Sequence, residues 1–296
     1  MFKAKIFITI FLASIAVYCA SCNKNLESPA PQKPLILVSI APYQFLTERI
    51  AGEHFAVRTV VPPGSNPHAY EPTSKQVASI SQGAVWFLIG EPFEKKVLDV
   101  LKGRNPSLIE VDLRQGIDLL GDPSLSCAHC SADRQDRHIW LSPKRAALQA
   151  ERISKVLAET FPEHREQFFE NAKALALELD GLDQEISSLL RDVKDRVLLV
   201  SHPAFGYFCR DYNFEQLSVE FEGKDPRPRH LENVMQKATA QSAELALALP
   251  QHNNKGAQII AEKLHIPVRV IDPYSRDYFE TLRFLAHVIA DPQYQQ

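Results

Sequence analysis

A regular apolar stripe runs through Glu163–Val193, EHREQFFENAKALALELDGLDQEISSLLRDV, and it sets the architecture expected for this chain. Its apolar positions are spaced alternately four and three residues apart: Phe168, Ala172, Leu175, Leu179, Leu182, Ile186, Leu189 and Val193. That spacing places one buried seam along a single continuous helix. At 1.5 Å per residue the helix would be about 45 Å long, more than one small domain needs internally. A coiled-coil dimer is the alternative, but the pattern stops at Asp195, so we predict a spine helix, residues 161–193, that crosses two lobes.

Short apolar runs of strand length alternate with helical segments on both sides of the spine helix. Before it they are Leu35–Ile40, Ala56–Val61, Ala84–Ile89 and Leu108–Leu113; after it they are Val197–Val200, Gln216–Phe221, Glu244–Leu249 and Val268–Ile271. Because these runs are continuously apolar, they suit strands buried on both faces of a parallel sheet. We therefore predict an α/β protein with lobes 34–160 and 194–296, each a mostly parallel four-stranded sheet flanked by helices.

The N-terminus has the pattern of a secretory signal. Two lysines precede an apolar run, Ile6–Ala20, which is too short to span a bilayer comfortably. Cys22 follows two small residues, as the lipidated cysteine does in bacterial lipoproteins, although Cys19 stands where Leu is usual. We expect residues 1–21 to be a signal peptide and residues 22–33 a tether anchored by lipid on Cys22. A plain signal peptide with a released product is the alternative.

Composition and charge exclude several classes of protein. The chain has 296 residues, of which 45% are hydrophobic and 23% charged, an ordinary globular balance. A formal net charge of −3 gives no electrostatic basis for binding nucleic acid. Only three of the five cysteines fall within the predicted lobes, too few for a disulfide scaffold. Cys127 and Cys130 can pair with each other or join His129 in an auxiliary metal site, and Cys209 is expected to be a buried thiol.

Four potential metal ligands lie where predicted strands end. His68 is in Gly64–Thr73, a loop stiffened by two prolines, and His138 lies on the loop before a helix. His202 directly follows the first strand of the second lobe, and Asp272 ends the last one. Ligands of open α/β sheets bind outside the carboxyl ends of the strands, so two facing sheets can bring these side chains together. Three imidazoles and one carboxylate make a full tetrahedral set for a divalent ion, whereas His68 alone would suggest only a proline-rich turn.

These segments resemble the metal-binding lipoproteins of ABC importers, the cluster A-I solute-binding proteins specific for zinc or manganese. The resemblance extends from about residue 34 to the end and is carried, in order, by Asn66–Pro72, Asp136–Pro143, Ser201–Phe208 and Ile271–Pro273. It implies two lobes of parallel sheet joined by a rigid helix, with metal binding at His68, His138, His202 and Asp272. It also implies a receptor that passes its ion to an ABC permease and its ATPase.

Three features depart from the family pattern. Arg137 stands where proline is common, the His-rich loop of zinc-specific members is reduced to Cys127–Cys130, and Leu249 replaces the glutamate of a Glu-Pro-Gln segment. The other histidines are expected at surface or helix positions: His54, His164, His230, His252, His265 and His287.

Nitrogen-rich ligation favours Zn²⁺ over Mn²⁺, so we expect zinc as the cargo, with Mn²⁺ or Fe²⁺ as the alternative. A zinc hydrolase would keep one coordination position open for water, and this ligand set has none. A metal-dependent adhesin would use the same fold without transport. We therefore expect a receptor with no enzymatic activity, exported to the periplasm or another extracytoplasmic location, lipid-anchored and monomeric.

Overall fold

Two parallel four-stranded sheets form the framework of the residues that the computed structural model describes, which are 33–121, 135–220 and 226–295. The first sheet contains β1 (Leu35–Val38), β2 (Ala56–Thr59), β3 (Gly83–Leu88) and β4 (Ile109–Asp112). The second contains β5 (Val197–Val200), β6 (Glu215–Ser218), β7 (Ala246–Ala248) and β8 (Val268–Val270). Their strand orders are β2-β1-β3-β4 and β6-β5-β7-β8, with every neighbouring pair parallel. The predicted α/β architecture is confirmed.

Helices flank both sheets, and the helix that follows His138 begins with a capped first turn. They are α1 (Ala41–Ala51), α2 (Ser74–Ser79), α3 (Pro92–Arg104), α4 (Pro143–Thr160), α5 (Arg165–Leu189), α6 (Gly206–Tyr212), α7 (Pro228–Ala240), α8 (Lys255–Leu264) and α9 (Tyr278–Ala290). The Ser142 hydroxyl accepts a hydrogen bond from the Arg145 amide at 3.2 Å, and proline occupies the first position of α4. The loop that carries His138 therefore ends at a fixed point.

Helix α5 is the predicted spine, and its apolar stripe is buried. The fully or almost fully buried positions are Phe168, Ala172, Leu175, Leu179, Leu182 and Ile186. The helix is shorter than the predicted segment at both ends. A short 3₁₀ turn, Pro162–His164, precedes it. At the other end the Arg196 guanidinium donates to the carbonyls of Leu190 and Arg191, both at 3.0 Å, and so satisfies backbone groups left free where the helix stops.

Contacts of α5 reach both halves of the chain. It packs against α1 and α4 on the N-terminal side and against α9 on the C-terminal side. The Asn171 side chain donates to the carbonyl of Ile50 at 3.0 Å, whereas Glu185 pairs with Arg283 of α9 at 3.0 Å. The apolar stripe is thus covered by the chain's own helices, which excludes the coiled-coil alternative for this face.

One hydrophobic core cluster contains buried residues of both sheets, including Ile36 and Leu198, together with the stripe of α5. A second, smaller cluster lies in the C-terminal half and includes Leu199 and Ile260. By its contacts, the chain from Pro34 onward is a single compact unit. The lobe boundaries at 34–160 and 194–296 stay a prediction.

Some predicted features lie outside the described residues. These are the signal peptide, all of the tether except Lys33, the lipidation site Cys22, and the segment with Cys127, His129 and Cys130. Cys209 is described and is a free, buried thiol, as predicted. No helix in the described ranges is both long enough and apolar enough to cross a lipid bilayer.

Candidate metal centre

Three of the four predicted ligands converge. His68, His138 and His202 each place one ring nitrogen within 4.8 Å of the other two. The Nε2 atoms of His68 and His138 are 3.2 Å apart, and the His202 ring centroid lies 5.1 Å and 5.2 Å from those two rings. Two nitrogens bound to one tetrahedral zinc are about 3.3 Å apart, given Zn–N bonds of about 2.0–2.1 Å. The spacing of the three rings therefore fits a single ion.

Each histidine lies on a connection that follows a strand in the chain. His68 lies in the 3₁₀ turn Pro67–Ala69 after β2, where the Asn66 side chain accepts from its backbone amide at 2.9 Å. His138 follows β4 in the chain and begins the turn that leads to α4. His202 comes two residues after the end of β5. The topological rule for open α/β sheets thus accounts for where these three side chains meet.

A carboxylate holds the Nδ1 atom of every one of these rings. The pairs are His68 with Glu91 at 2.9 Å, His138 with Asp136 at 2.8 Å and His202 with Glu220 at 2.9 Å. A carboxylate accepts a hydrogen bond from Nδ1–H, which keeps the proton on Nδ1, leaves the lone pair on Nε2 and fixes the orientation of the ring. All three lone pairs are therefore available to a cation at the point where the rings meet.

Burial keeps two of the imidazoles neutral. It holds the pKa of His138 well below its usual range and lowers the pKa of His202 to about 3. His68 differs: burial alone would lower its pKa, but the adjacent Glu91 carboxylate outweighs burial and raises it. A proton and a metal ion thus compete for Nε2 of His68, because imidazole coordinates only when neutral.

Hydrogen-bond donors are fewer than acceptors at the centre. The Tyr274 hydroxyl lies 3.2 Å from Nε2 of both His68 and His138, yet it carries only one proton to donate. Burial raises the pKa of Tyr274 well above 10, so the side chain stays a neutral phenol. Nε2 of His202 is buried and has no hydrogen-bond partner among the residues that the structure describes. An excess of buried nitrogen lone pairs is the environment that a divalent cation satisfies.

Asp272, the fourth predicted ligand, is not brought into the same group of donor atoms. Within the described part of the chain, the group around His68 contains the three histidines only. Asp272 follows β8 as expected, but its Oδ1 accepts from the Gln251 side chain and from the Tyr274 amide, both at 2.9 Å. The role of Asp272 therefore stays a prediction.

Sequence reasoning missed several residues of this centre. His252, expected at a surface or helix position, has a side chain that is only 5% exposed and stacks on His202 with ring centroids 3.8 Å apart, so that expectation was wrong. The carboxylates Glu91 and Glu220 were not singled out at all. Glu91 follows β3, Glu220 follows β6 and His252 follows β7. The rule that pointed to the other ligands, a polar side chain just beyond a strand, would have found these too.

Comparisons with known proteins identify the family of this chain. A family model described as "zinc-uptake complex component A periplasmic" matches residues 36–291. A putative metal-binding protein of Chlamydia trachomatis serovar D is 35% identical over 257 residues, 86% of this chain and 90% of the relative. Zinc-binding lipoprotein AdcA of Streptococcus pneumoniae serotype 4 is 29% identical over 75% of this chain and 45% of its own length. A crystal structure of a ZnuA deletion mutant with zinc bound is 34% identical with a TM-score of 0.81, covering 90% of this chain and 100% of that one. The chain belongs to the family of periplasmic zinc-uptake complex components, which are metal-binding solute-binding proteins.

Proposed function

We propose that this protein is a receptor that captures a divalent metal ion outside the cytoplasmic membrane and delivers it to an ABC permease and its ATPase. One observation carries the proposal: three imidazoles face one another, each with its Nδ1 atom held by a carboxylate and its Nε2 atom turned inward. The family is described as a component of zinc uptake, which supports a transporter as the partner. The ion is the cargo, so the protein itself needs no catalytic group.

The cargo ion is held through Nε2 of His68, His138 and His202, with the Asp272 carboxylate as the fourth protein ligand. Asp272 can coordinate through the oxygen that Gln251 and the Tyr274 amide leave free. Zinc is the proposed cargo because imidazole ligands suit it better than Mn²⁺, with Mn²⁺ or Fe²⁺ as the alternative. A full set of four protein ligands leaves no position for a reactive water, so the proposal includes no hydrolase activity. The receptor acts as a monomer.

The test of this function is elemental analysis of the purified protein followed by competitive titration with zinc and manganese. The expected result is one zinc per chain, with zinc bound more tightly than manganese. Protein that binds neither ion when titrated at neutral pH would overturn the proposal. If manganese binds more tightly than zinc, the protein is still a metal receptor, but its cargo is manganese.

Zinc affinity is expected to fall as the pH falls through the pKa of His68, which Glu91 holds above the usual value of about 6.5. Affinity is fully present above that pKa and declines about tenfold per pH unit below it, since each bound ion displaces one proton. Glu91→Gln removes the charge that raises the pKa, so the decline should begin at a lower pH.

Zinc competition titrations between about pH 8 and about pH 5.5 measure the onset of this decline. The comparison uses the pH at which zinc affinity begins to fall, not the affinity itself. This is because Glu91→Gln also weakens the hydrogen bond that orients the His68 ring and so lowers affinity at every pH. Glu53→Gln, at an exposed position, is the matched control. Identical onsets in parent and Glu91→Gln would show that His68 is not the competing group.

The proposed location is the outer face of the cytoplasmic membrane, with a lipid on Cys22 as the anchor. The mature protein is expected to begin at Cys22 and to partition with membranes, because that residue follows an apolar signal and two small residues. Mass spectrometry of the N-terminal peptide checks the modification, and membrane fractionation of Cys22→Ala checks the anchor. An unmodified N-terminus, or membrane association that survives Cys22→Ala, would contradict it.

A further inference from the structure

A fourth histidine, His252, lies beside the three predicted ones. Its ring is stacked on His202 with an interplanar angle of 20° and a centroid distance of 3.8 Å. The His68 ring centroid lies 6.1 Å from it. The connection after β7 presents His252 at the same edge of the sheet from which β5 presents His202. The donor atom of His252 falls outside the group formed by His68, His138 and His202, but it forms a second group with those of His202 and Glu220. His252 is thus placed beside the three converging imidazoles, with His202 shared between the two groups.

One carboxylate oxygen orients both stacked rings. Oε2 of Glu220 accepts from Nδ1 of His202 at 2.9 Å and from Nδ1 of His252 at 3.3 Å. Since the same nitrogen of each ring faces the carboxylate, each ring carries its proton there and its lone pair on Nε2. Both Nε2 atoms are buried, and neither has a hydrogen-bond partner within the described ranges of the chain.

We infer that His252 is a further nitrogen ligand of the cargo ion, so that four imidazoles rather than three face it. The inference rests on the proposed function, because it needs a cation at this centre. With Asp272 also bound, His252 makes the set five-coordinate, a number that zinc can adopt. His252 is built as the other ligands are, with Nδ1 on a carboxylate and a lone pair on Nε2. The two rings must tilt relative to each other to share one ion, which a single acceptor oxygen on Glu220 permits.

A purely structural role for His252 does not explain why its Nε2 atom lacks a hydrogen-bond partner in the described residues. A stacked pair needs only ring contact, and a histidine that served packing alone would satisfy Nε2 with a donor or with solvent. In the residues that the structure describes, Nε2 of His252 reaches neither. A fourth nitrogen donor would also sharpen selection, since imidazole suits zinc whereas oxygen ligands suit manganese.

The test combines X-ray absorption spectroscopy of the zinc-loaded parent with competition titrations of His252→Phe. The inference expects scattering from four imidazoles in the parent and three in His252→Phe. It also expects zinc affinity to fall about tenfold or more, with a smaller loss for manganese. Phenylalanine at position 252 keeps the stacked ring but removes the nitrogen that would bind the metal. The matched control is His287→Phe, because His287 also stacks on an aromatic ring, Tyr294, but on α9.

The outcomes separate this inference from the proposed function. A parent spectrum with three imidazoles, or a His252→Phe variant that binds zinc as tightly as His287→Phe does, overturns the inference. The proposed function still stands in that case if the parent binds zinc. A parent that binds no zinc overturns both. The parent spectrum needs no variant, so the inference stays testable even if His252→Phe fails to fold.

Discussion

Replacing His138 by alanine is expected to weaken zinc binding by at least about 100-fold while the protein stays folded. Changes to the groups that merely hold a metal ligand typically cost about 10–100-fold, and loss of a ligand should cost more. His138 is the most enclosed of the three predicted imidazoles, with a side chain 5% exposed, and its Nε2 is 3.2 Å from that of His68. Its removal leaves two of the three converging rings, so the ion loses both a bond and its enclosure.

The folded state should tolerate this change, because His138 lies on a connection rather than in a sheet or helix. Its backbone amide keeps the hydrogen bond to Asp136 at 2.9 Å whichever side chain is present. Isothermal titration with zinc measures the affinity, and circular dichroism checks the fold. His287→Ala, which removes a histidine from α9, is the control and should bind zinc like the parent. Binding of His138→Ala within a few-fold of the parent would show that His138 is not a ligand.

Leu175→Ala in helix α5 is expected to lower the free energy of unfolding by about 2–5 kcal/mol. Leu175 is 0% exposed and belongs to the core cluster that contains residues of both sheets. Truncation to alanine removes buried apolar surface and leaves a cavity that the surrounding side chains cannot fully close. An effect of this size is a large part of the stability of an ordinary domain.

The same helix provides a matched control. Leu177 lies two residues further along and is 67% exposed, so Leu177→Ala should change the free energy of unfolding by less than about 0.5 kcal/mol. Urea denaturation of the protein without its signal segment, followed by circular dichroism, measures both values. If the two variants lose similar stability, the register assigned to the buried stripe is wrong.

Much of the fold could be predicted because local signals and tertiary structure agree. The bounds of β5 match the predicted Val197–Val200. Local signals also mark the bounds of α4, with Ser142 and Pro143 at its start and Phe161-Pro162 at its end. The end of α5 could not be predicted in the same way. It depends on Arg196, which reaches back to the helix carbonyls only once β5 is in place.

The centre was predictable only in part, for a physical reason. His68, His138 and His202 stand out because each is a metal-binding residue type at a strand end within a recognisable segment. Glu91 and Glu220 act by facing particular rings, and which ring a carboxylate faces is decided by packing between distant segments. His252 follows the predicted strand Glu244–Leu249 but lies outside the four segments that carry the family resemblance, so only its position after a strand could have marked it.

Under the proposed function, the continuous spine helix limits how a permease could recognise whether the receptor is loaded. Because α5 packs on both halves over a shared core, a wide hinge movement would break many packed contacts at once. The difference between the loaded and empty forms must then be a local change in the connections that carry the ligands. These already touch across the centre, where the Asn66 side chain donates to the Gln251 carbonyl at 3.4 Å. A hundredfold preference for the loaded form requires only about 2.7 kcal/mol of differential contact, which a few rearranged side chains at that surface can supply.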